Sequence, residues 1–173
     1  MAREYTITTE RLLLHALSRQ ELALLIDKRF DQFAALRQVT ISAAWLQSDL
    51  LEHLPIIVGS MDALRDDELW VWVIIEAASR TLIGDVGFHQ PLTESATIEI
   101  GYALVPAYQQ RGYATEAVDA LIGWAFTQPE PQRIIAKISP ENAASITVAR
   151  KVGMIEVASD EPEYLCFARQ RPD

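Results

Sequence analysis

Residues 98–115 read I-E-I-G-Y-A-L-V-P-A-Y-Q-Q-R-G-Y-A-T. The first seven alternate apolar residues with small or polar ones, which predicts a strand from Ile98 to Leu104. Pro106 ends that strand, and a short polar loop leads to a helix that begins near Gly112. The helix is predicted from an apolar stripe at helical spacing: Ala114, Ala117, Val118, Leu121, Ile122 and Ala125.

The first turn of this helix has the properties of an anion-binding site. The first backbone N–H groups of a helix have no partner within it, and they lie at the positive end of the helix dipole. Gly112 and Ala114 leave room for a bulky anion, and Arg111 adds a positive charge. Strand, small-residue turn and helix N-terminus together indicate a phosphate-binding turn.

The spacing of the glycines narrows the families that fit. The chain has no Gly-Lys pair, so it has no P-loop, and it has no G-x-G-x-x-G of the dinucleotide-binding type. It has Q-x-x-G-x-A, formed by Gln109, Gly112 and Ala114. With E-I-G-Y-A-L before it, A-T-E-A after it, and E-N-A-A-S-I-T-V-A-R-K-V-G-M further on, this resembles the coenzyme A pyrophosphate loop of GNAT acetyltransferases, in particular their RimJ/RimL-like branch.

The resemblance implies a GNAT fold in a single domain, residues 1–173. We expect a mixed α/β structure with one six- to seven-stranded sheet, mostly antiparallel, with a splayed central parallel pair and about four helices on both faces. It also implies acetyl-CoA as cosubstrate, its pantetheine lying between the splayed strands and its pyrophosphate on the loop. The cofactor-binding residues would be Leu104, Val105, Gln109, Gln110, Arg111, Gly112, Tyr113, Ala114, Thr115 and Asn142.

Acetyl transfer to an amine needs a group that removes a proton, because alkylamines are mostly protonated near neutral pH. Glu99, in the strand that leads to the loop, is the first candidate for this base. An ordinary ion pair with a surface Lys or Arg is an equally good explanation of Glu99. His89, at the end of the preceding strand, is the second candidate, although a histidine there is more often a plain strand-end residue.

The departing thiolate needs a proton or stabilisation. Many GNAT enzymes supply a tyrosine from the later helix, but the matching position here is Ala149. In the resembled branch a serine at the N-x-x-S position takes that role, and Asn142 and Ser145 match it. Asn142 also caps helices well without any ligand, so capping alone would explain it.

Composition and charge limit the classes of partner that the protein is expected to bind. A formal net charge of −9 disfavours nucleic acid and agrees with a cationic amine acceptor, although solubility alone would also explain it. The longest apolar run is too short to span a membrane, no signal peptide is predicted, and the single cysteine, Cys166, is expected to be buried. We therefore expect a cytoplasmic protein with no metal, and a homodimer remains one option.

The rest of the chain predicts alternating strands and helices. Ser18 and Glu21 form a capping box before an apolar stripe that runs to Phe33. We expect a second helix from about Ile41 to His53, then P-I-I-V-G as a short strand or packed loop and D-A-L-R-D-D-E as a helical turn. The remaining strands are predicted at residues 11–16, 69–76, 81–89, 133–138, 154–157 and 164–168, with a helix between residues 140 and 153.

Two other functions stay open at this point. A domain that binds acyl-CoA as a sensor or scaffold without turnover would also keep the loop while lacking the family's tyrosine. An interaction module that uses Trp70 and Trp72 as a contact face has less support, because alternating tryptophans in a strand usually belong to the core.

Overall fold

The computed structural model of the protein describes residues 5–61, 70–93 and 95–172. Its strands join one mixed sheet in the order β1-β2-β4-β5-β6-β7-β9-β8, with β3 added beside β5. The strands are β1 Thr6–Thr8, β2 Leu12–Ala16, β3 Thr40–Ile41, β4 Val71–Glu76, β5 Thr81–Phe88, β6 Thr97–Leu104, β7 Arg133–Ile138, β8 Ile155–Val157 and β9 Leu165–Gln170. The helices are α1 Arg19–Ile26, α2 Phe30–Arg37, α3 Asp49–Met61, α4 Tyr113–Ala125 and α5 Ala143–Lys151.

The sheet is mostly antiparallel, as predicted, and its central parallel pair is β6 with β7. The described residues contain nine strands rather than six or seven. The additional ones are the three-residue β1 and the two-residue β3, which are too short to leave a periodic signal in the sequence. None of the helices among the described residues is long and apolar enough to cross a membrane.

Helices cover both faces of the sheet. Trp72 of β4 packs edge-on against Trp124 of α4, with ring centroids 4.8 Å apart. On the opposite face, Trp45 in a short 3₁₀ turn donates a hydrogen bond to Asp85 of β5. Trp70 and Trp72 are both buried, so neither offers the contact face of an interaction module. Cys166 is buried too, as expected, and burial raises the pKa of its thiol.

The first predicted helical stripe is broken into two helices. The capping box of Ser18 and Glu21 is present at the start of α1. The helix then ends at Ile26, because Lys28 adopts a left-handed conformation with φ 57°, and α2 begins at Phe30. The polar residues 27–29 therefore divide one apolar stripe into two helices, so the described part of the chain has five helices rather than about four.

The prediction for the segment after residue 40 was wrong. Thr40–Ile41 pairs in parallel with β5, and the helix begins only at Asp49. It continues through Pro55 to Met61, so P-I-I-V-G is helical rather than a strand or loop. The fully buried Leu54 holds this helix against the core, and such tertiary packing overrides the local signal of proline and β-branched residues. The predicted turn at residues 62–68 and Leu69, the first residue of the predicted strand 69–76, lie outside the described residues.

Glu21 is a fully buried carboxylate whose hydrogen-bonding capacity is filled. It accepts hydrogen bonds from the Ser18 N–H and hydroxyl at 2.9 and 2.7 Å and from the Arg37 guanidinium, and His15 Nε2 lies 3.1 Å from its Oε1. Burial alone would raise its pKa, but these partners outweigh burial and lower the pKa to about 2. Glu21 is therefore a structural group that ties α1, α2 and β2 together.

We expect Glu21→Gln to lower the free energy of unfolding by about 3 kcal/mol at neutral pH. The folded-state pKa of Glu21 lies below the usual value of 4.5, so this stabilisation is present above pH 4.5 and is lost as the pH falls from 4.5 towards 2. Urea denaturation at neutral pH and near pH 3 measures both effects. The exposed Glu130→Gln is the matched control. A difference that stayed constant between the two pH values would contradict the assignment.

Candidate functional site

The parallel strands β6 and β7 separate within the sheet. They pair only from Thr97 with Arg133 to Glu99 with Ile135. Beyond these residues β6 continues to Leu104 beside β5, and β7 continues to Ile138 beside β9. The facing edges of the two strands are therefore not bonded to each other, and the predicted splay is present.

The splayed edge of β6 offers backbone groups from alternate residues. The Val105 N–H already donates to Ile83 O of β5 at 2.9 Å, so it is not available to a ligand in the gap. Because hydrogen-bonding directions alternate along a strand, Leu104 and Tyr102 direct their backbone groups into the gap. The Leu104 carbonyl accepts from the Gln109 side-chain amide at 2.8 Å, which leaves its N–H open. Tyr102 is a backbone candidate that the sequence did not point to.

The loop between β6 and α4 exposes a row of backbone donors. A 3₁₀ turn at Pro106–Tyr108 is followed by two residues with positive φ, Gln110 at 60° and Gly112 at 81°. Gly112 is the N-cap of α4, and no side chain caps this end. None of the described residues accepts a hydrogen bond from the N–H groups of residues 110–115. Six donors therefore remain at the positive end of a thirteen-residue helix.

Arginine side chains supply positive charge around these donors. The Arg111 guanidinium lies 5.6 Å from the ring centroid of Tyr108. Arg11, just before β2, donates to the Arg111 carbonyl at 2.9 Å and lies 4.5 Å from the ring centroid of Tyr113. Its side chain is 40% exposed, so the charge is accessible from the solvent. Arg11 could not be predicted from the sequence, because 100 residues separate it from the loop.

Glu116, in the first turn of α4, holds Arg11 in place. Its carboxylate accepts from the Thr9 hydroxyl at 2.6 Å, from the Arg11 N–H at 2.8 Å and from Arg11 Nε at 2.7 Å. Burial alone would raise the pKa of Glu116, but these hydrogen bonds and the Arg11 charge keep it below its usual value. The A-T-E-A flank that marked the family thus contains the residue that fixes Arg11 beside the loop.

Glu99 and His89, the two candidate bases, lie together where β6 and β7 separate. Glu99 is the last residue of β6 that pairs with β7, and its side chain is 22% exposed. His89 Nδ1 lies 3.1 Å from Glu99 Oε1. The imidazole covers Gly101, since a Cβ there would lie 2.7 Å from His89 Nε2. Among the described residues Glu99 pairs with this histidine and with no Lys or Arg, so the ordinary ion pair weighed for it is absent from that part of the chain.

Asn142 and Ser145 lie at the start of α5, beside the other face of β6. Asn142 Oδ1 accepts from the Ser145 N–H at 3.0 Å, so Asn142 caps α5. No described residue bonds to the Ser145 hydroxyl, and its carbonyl accepts from the Tyr102 hydroxyl at 3.1 Å. Burial raises the pKa of Tyr102, so its phenol stays protonated. Ala149 is fully buried, and its methyl side chain has no proton to donate.

The described residues contain no group of three or more His, Cys, Asp or Glu side chains that could hold a metal ion. The arrangement that remains is a row of backbone donors leading to a gap in the sheet. A carboxylate with its histidine and a serine hydroxyl lie on opposite sides of β6. Such a site suits an extended anionic ligand whose reactive end reaches the two candidate groups.

Comparisons with known proteins place this geometry among acetyltransferases. Residues 11–155 match the family model described as "Acetyltransferase (GNAT) domain". An uncharacterised N-acetyltransferase of Bacillus subtilis (strain 168), YjdG, is 30% identical over 115 residues, which cover 64% of this chain and 67% of that protein.

Two solved structures share the fold at low sequence identity. A ribosomal-protein-S5-alanine acetyltransferase from Vibrio fischeri superposes with a TM-score of 0.64 at 18% identity, over 98% of each chain. RimL, a ribosomal L7/L12 α-N-protein acetyltransferase solved with coenzyme A, has a TM-score of 0.63 at 20% identity and covers 96% of this chain and 98% of its own. At the level of the fold, these neighbours agree with the predicted RimJ/RimL-like branch.

Proposed function

Because this chain belongs to the GNAT acetyltransferase family, we propose that it transfers the acetyl group of acetyl-CoA to a primary amine, directly and within a ternary complex. The acceptor would be a protein N-terminal α-amine or a small-molecule amine. The observation that carries this proposal is the row of six N–H groups, residues 110–115, which have no acceptor among the described residues and lead into the gap between β6 and β7.

The described residues fit coenzyme A. Its pyrophosphate needs donors and positive charge, and the loop offers N–H groups flanked by Arg11 and Arg111. Its pantetheine amides need unbonded backbone groups, and Tyr102 and Leu104 provide them along β6. Asn142 would be close to the same ligand, while its side-chain oxygen caps α5. The cosubstrate supplies the activated acetyl group, which its thioester makes transferable.

The amine must lose a proton before or as it attacks. Glu99 would accept this proton, directly or through a water molecule, because its carboxylate is partly exposed where the two strands separate. The neighbouring His89 would orient the carboxylate and is the alternative acceptor of the proton. A C–N bond then forms as the C–S bond breaks.

The thiolate of coenzyme A, which leaves in this reaction, must be protonated in the last step. The Ser145 hydroxyl would supply it, because no described residue uses that hydroxyl. Tyr102 contacts the Ser145 carbonyl and would hold the start of α5 against β6. Since a thiolate is a fair leaving group, positioning together with weak acid assistance suffices for this step.

We expect the purified protein to release coenzyme A from acetyl-CoA when a primary amine is present. The measurement is thiol release with a mixture of small amines and N-terminal peptides, followed by mass spectrometry of the acetylated product. Reactions without amine are the control. Acetyl-CoA binding without release above background, for every amine, would support the sensor or scaffold function instead.

A further inference from the structure

We propose that Asp85 binds a second cationic group of the acceptor, so that the preferred acceptors are extended amines with positive charge at both ends. This inference rests on the proposed function and goes beyond it by naming the acceptor class and the residue that selects it. Two carboxylates on this side of the sheet differ in their surroundings: Glu21 is fully buried, and Asp85 is only partly buried.

The Glu21 carboxylate accepts hydrogen bonds from Ser18 and Arg37, whereas the Asp85 carboxylate has fewer donors. Asp85 Oδ2 accepts from Trp45 Nε1 at 2.9 Å. Within residues 5–61, 70–93 and 95–172, nothing donates to Oδ1, and no Lys, Arg or His forms an ion pair with Asp85. A partly buried carboxylate without a cation is costly to keep and is still open to a ligand, so a role in binding is the better explanation for Asp85.

The groups around Asp85 do not compensate the negative charge of its carboxylate. Burial raises the pKa of Asp85 to about 6, the Trp45 indole N–H opposes that rise, and the negative charge of Asp49 in α3 adds to it. His15 lies on the same face, two strands away through Val73, but it is bound to Glu21. None of these groups neutralises Asp85, and an ammonium group from a ligand would.

Asp85 shares a face of the sheet with Glu99 and His89. It pairs with Ala103 of β6, and the next pair along the strands on this face is Gly87 with Gly101. After that pair come His89 and Glu99, linked by a backbone hydrogen bond of 3.0 Å. Ala103 is exposed and both glycines are partly exposed. The two carboxylates thus lie at the ends of a row of small residues, and the His89 imidazole lies over Gly101 within that row.

The length of this row defines the acceptor. Ala103 lies four positions beyond Glu99 along β6, which corresponds to roughly 13 Å between their Cα atoms. An acceptor with its reacting amine at Glu99 could place a second ammonium group at Asp85. The distance between its two amines would then be about this Cα–Cα distance minus the length of the Glu99 and Asp85 side chains. The acidic net charge of −9 favours the same class of ligand.

The test measures kcat/KM for linear alkane diamines of increasing length, each paired with the monoamine of the same carbon count. In the unmodified protein, we expect a long diamine to exceed its monoamine by about ten-fold at about pH 8. Asp85→Asn should abolish this preference, through KM rather than kcat, because asparagine still accepts from Trp45 but carries no charge. The preference of the unmodified protein should fade as the pH falls through about 6.

Two further measurements separate binding from a structural role. Trp45→Phe removes the indole donor and keeps the carboxylate, so it should retain the preference at about pH 8. The raised folded-state pKa means that ionised Asp85 costs stability as the pH rises from 3.8 towards about 6. Asp85→Asn should therefore unfold at a higher temperature than the unmodified protein at about pH 8, and this advantage should vanish below about pH 4.

Each result decides between the explanations. A preference that survives in Asp85→Asn, or turnover equal for diamines and monoamines in both proteins, overturns the role of Asp85 and leaves acetyl transfer intact. A preference lost in Trp45→Phe and kept in Asp85→Asn assigns the Trp45–Asp85 hydrogen bond a structural role only. If acetyl-CoA does not bind at all, it is the proposed function that fails.

Discussion

Gly112→Trp is expected to abolish acetyl-CoA binding, weakening it by at least about 100-fold, or roughly 2.7 kcal/mol. Gly112 has φ 81°, a conformation that residues with a Cβ rarely adopt. A Cβ at this position would lie 3.3 Å from Arg11 Nη2. An indole ring there would fill the space in front of the N–H donors and displace Arg11, so donors and charge would be lost together.

Calorimetric titration of acetyl-CoA into the variant measures this effect. Gly123→Trp is a matched control, because it makes the same change in the same helix at an exposed position with nothing within 4 Å of the added Cβ. It should bind like the unmodified protein. Thermal unfolding of both variants shows whether each is folded. Binding that persisted in a folded Gly112→Trp would mean that the pyrophosphate lies elsewhere.

The loop itself was predictable from sequence because its signals are local. Strand, proline, small residues and apolar stripe follow one another within residues 98–125, and each acts on neighbouring backbone. The strand, the turn and the helix are present at these residues, and the splay of the two strands agrees with what the family resemblance implied. The second arginine, Arg11, was not predicted. Arg11 meets Glu116 across 105 residues, and no spacing rule connects them.

Register explains most of the other omissions. That Asp85 shares a face with Glu99 follows from the pairing of β5 with β6, and a shift of one residue would put them on opposite faces. Both strands were predicted from the sequence, but the register between them was not. Pro55 locally disfavours a helix, yet it lies within α3. The packing of the buried Leu54 outweighs this preference, and such long-range contacts cannot be read from the neighbouring sequence.

Glu99→Gln is expected to lower kcat by about 10²- to 10⁴-fold while leaving the affinity for acetyl-CoA unchanged. Glutamine has the size of glutamate and still accepts a hydrogen bond, but it cannot take a proton from the attacking amine. The pyrophosphate loop is formed by other residues, so cosubstrate binding should not respond. Steady-state thiol release and calorimetric titration on the same preparation separate the two effects.

Two companion variants show which group accepts the proton. Glu130→Gln changes an exposed glutamate beyond the end of α4 and should have full activity. His89→Gln removes the imidazole 3.1 Å from Glu99 and should cost less than Glu99→Gln if the histidine only orients the carboxylate. If His89→Gln costs more, the histidine is the base and Glu99 its partner. If both variants keep full activity, the proton leaves by a route that uses neither residue, because a base in the reaction path cannot be removed without slowing it.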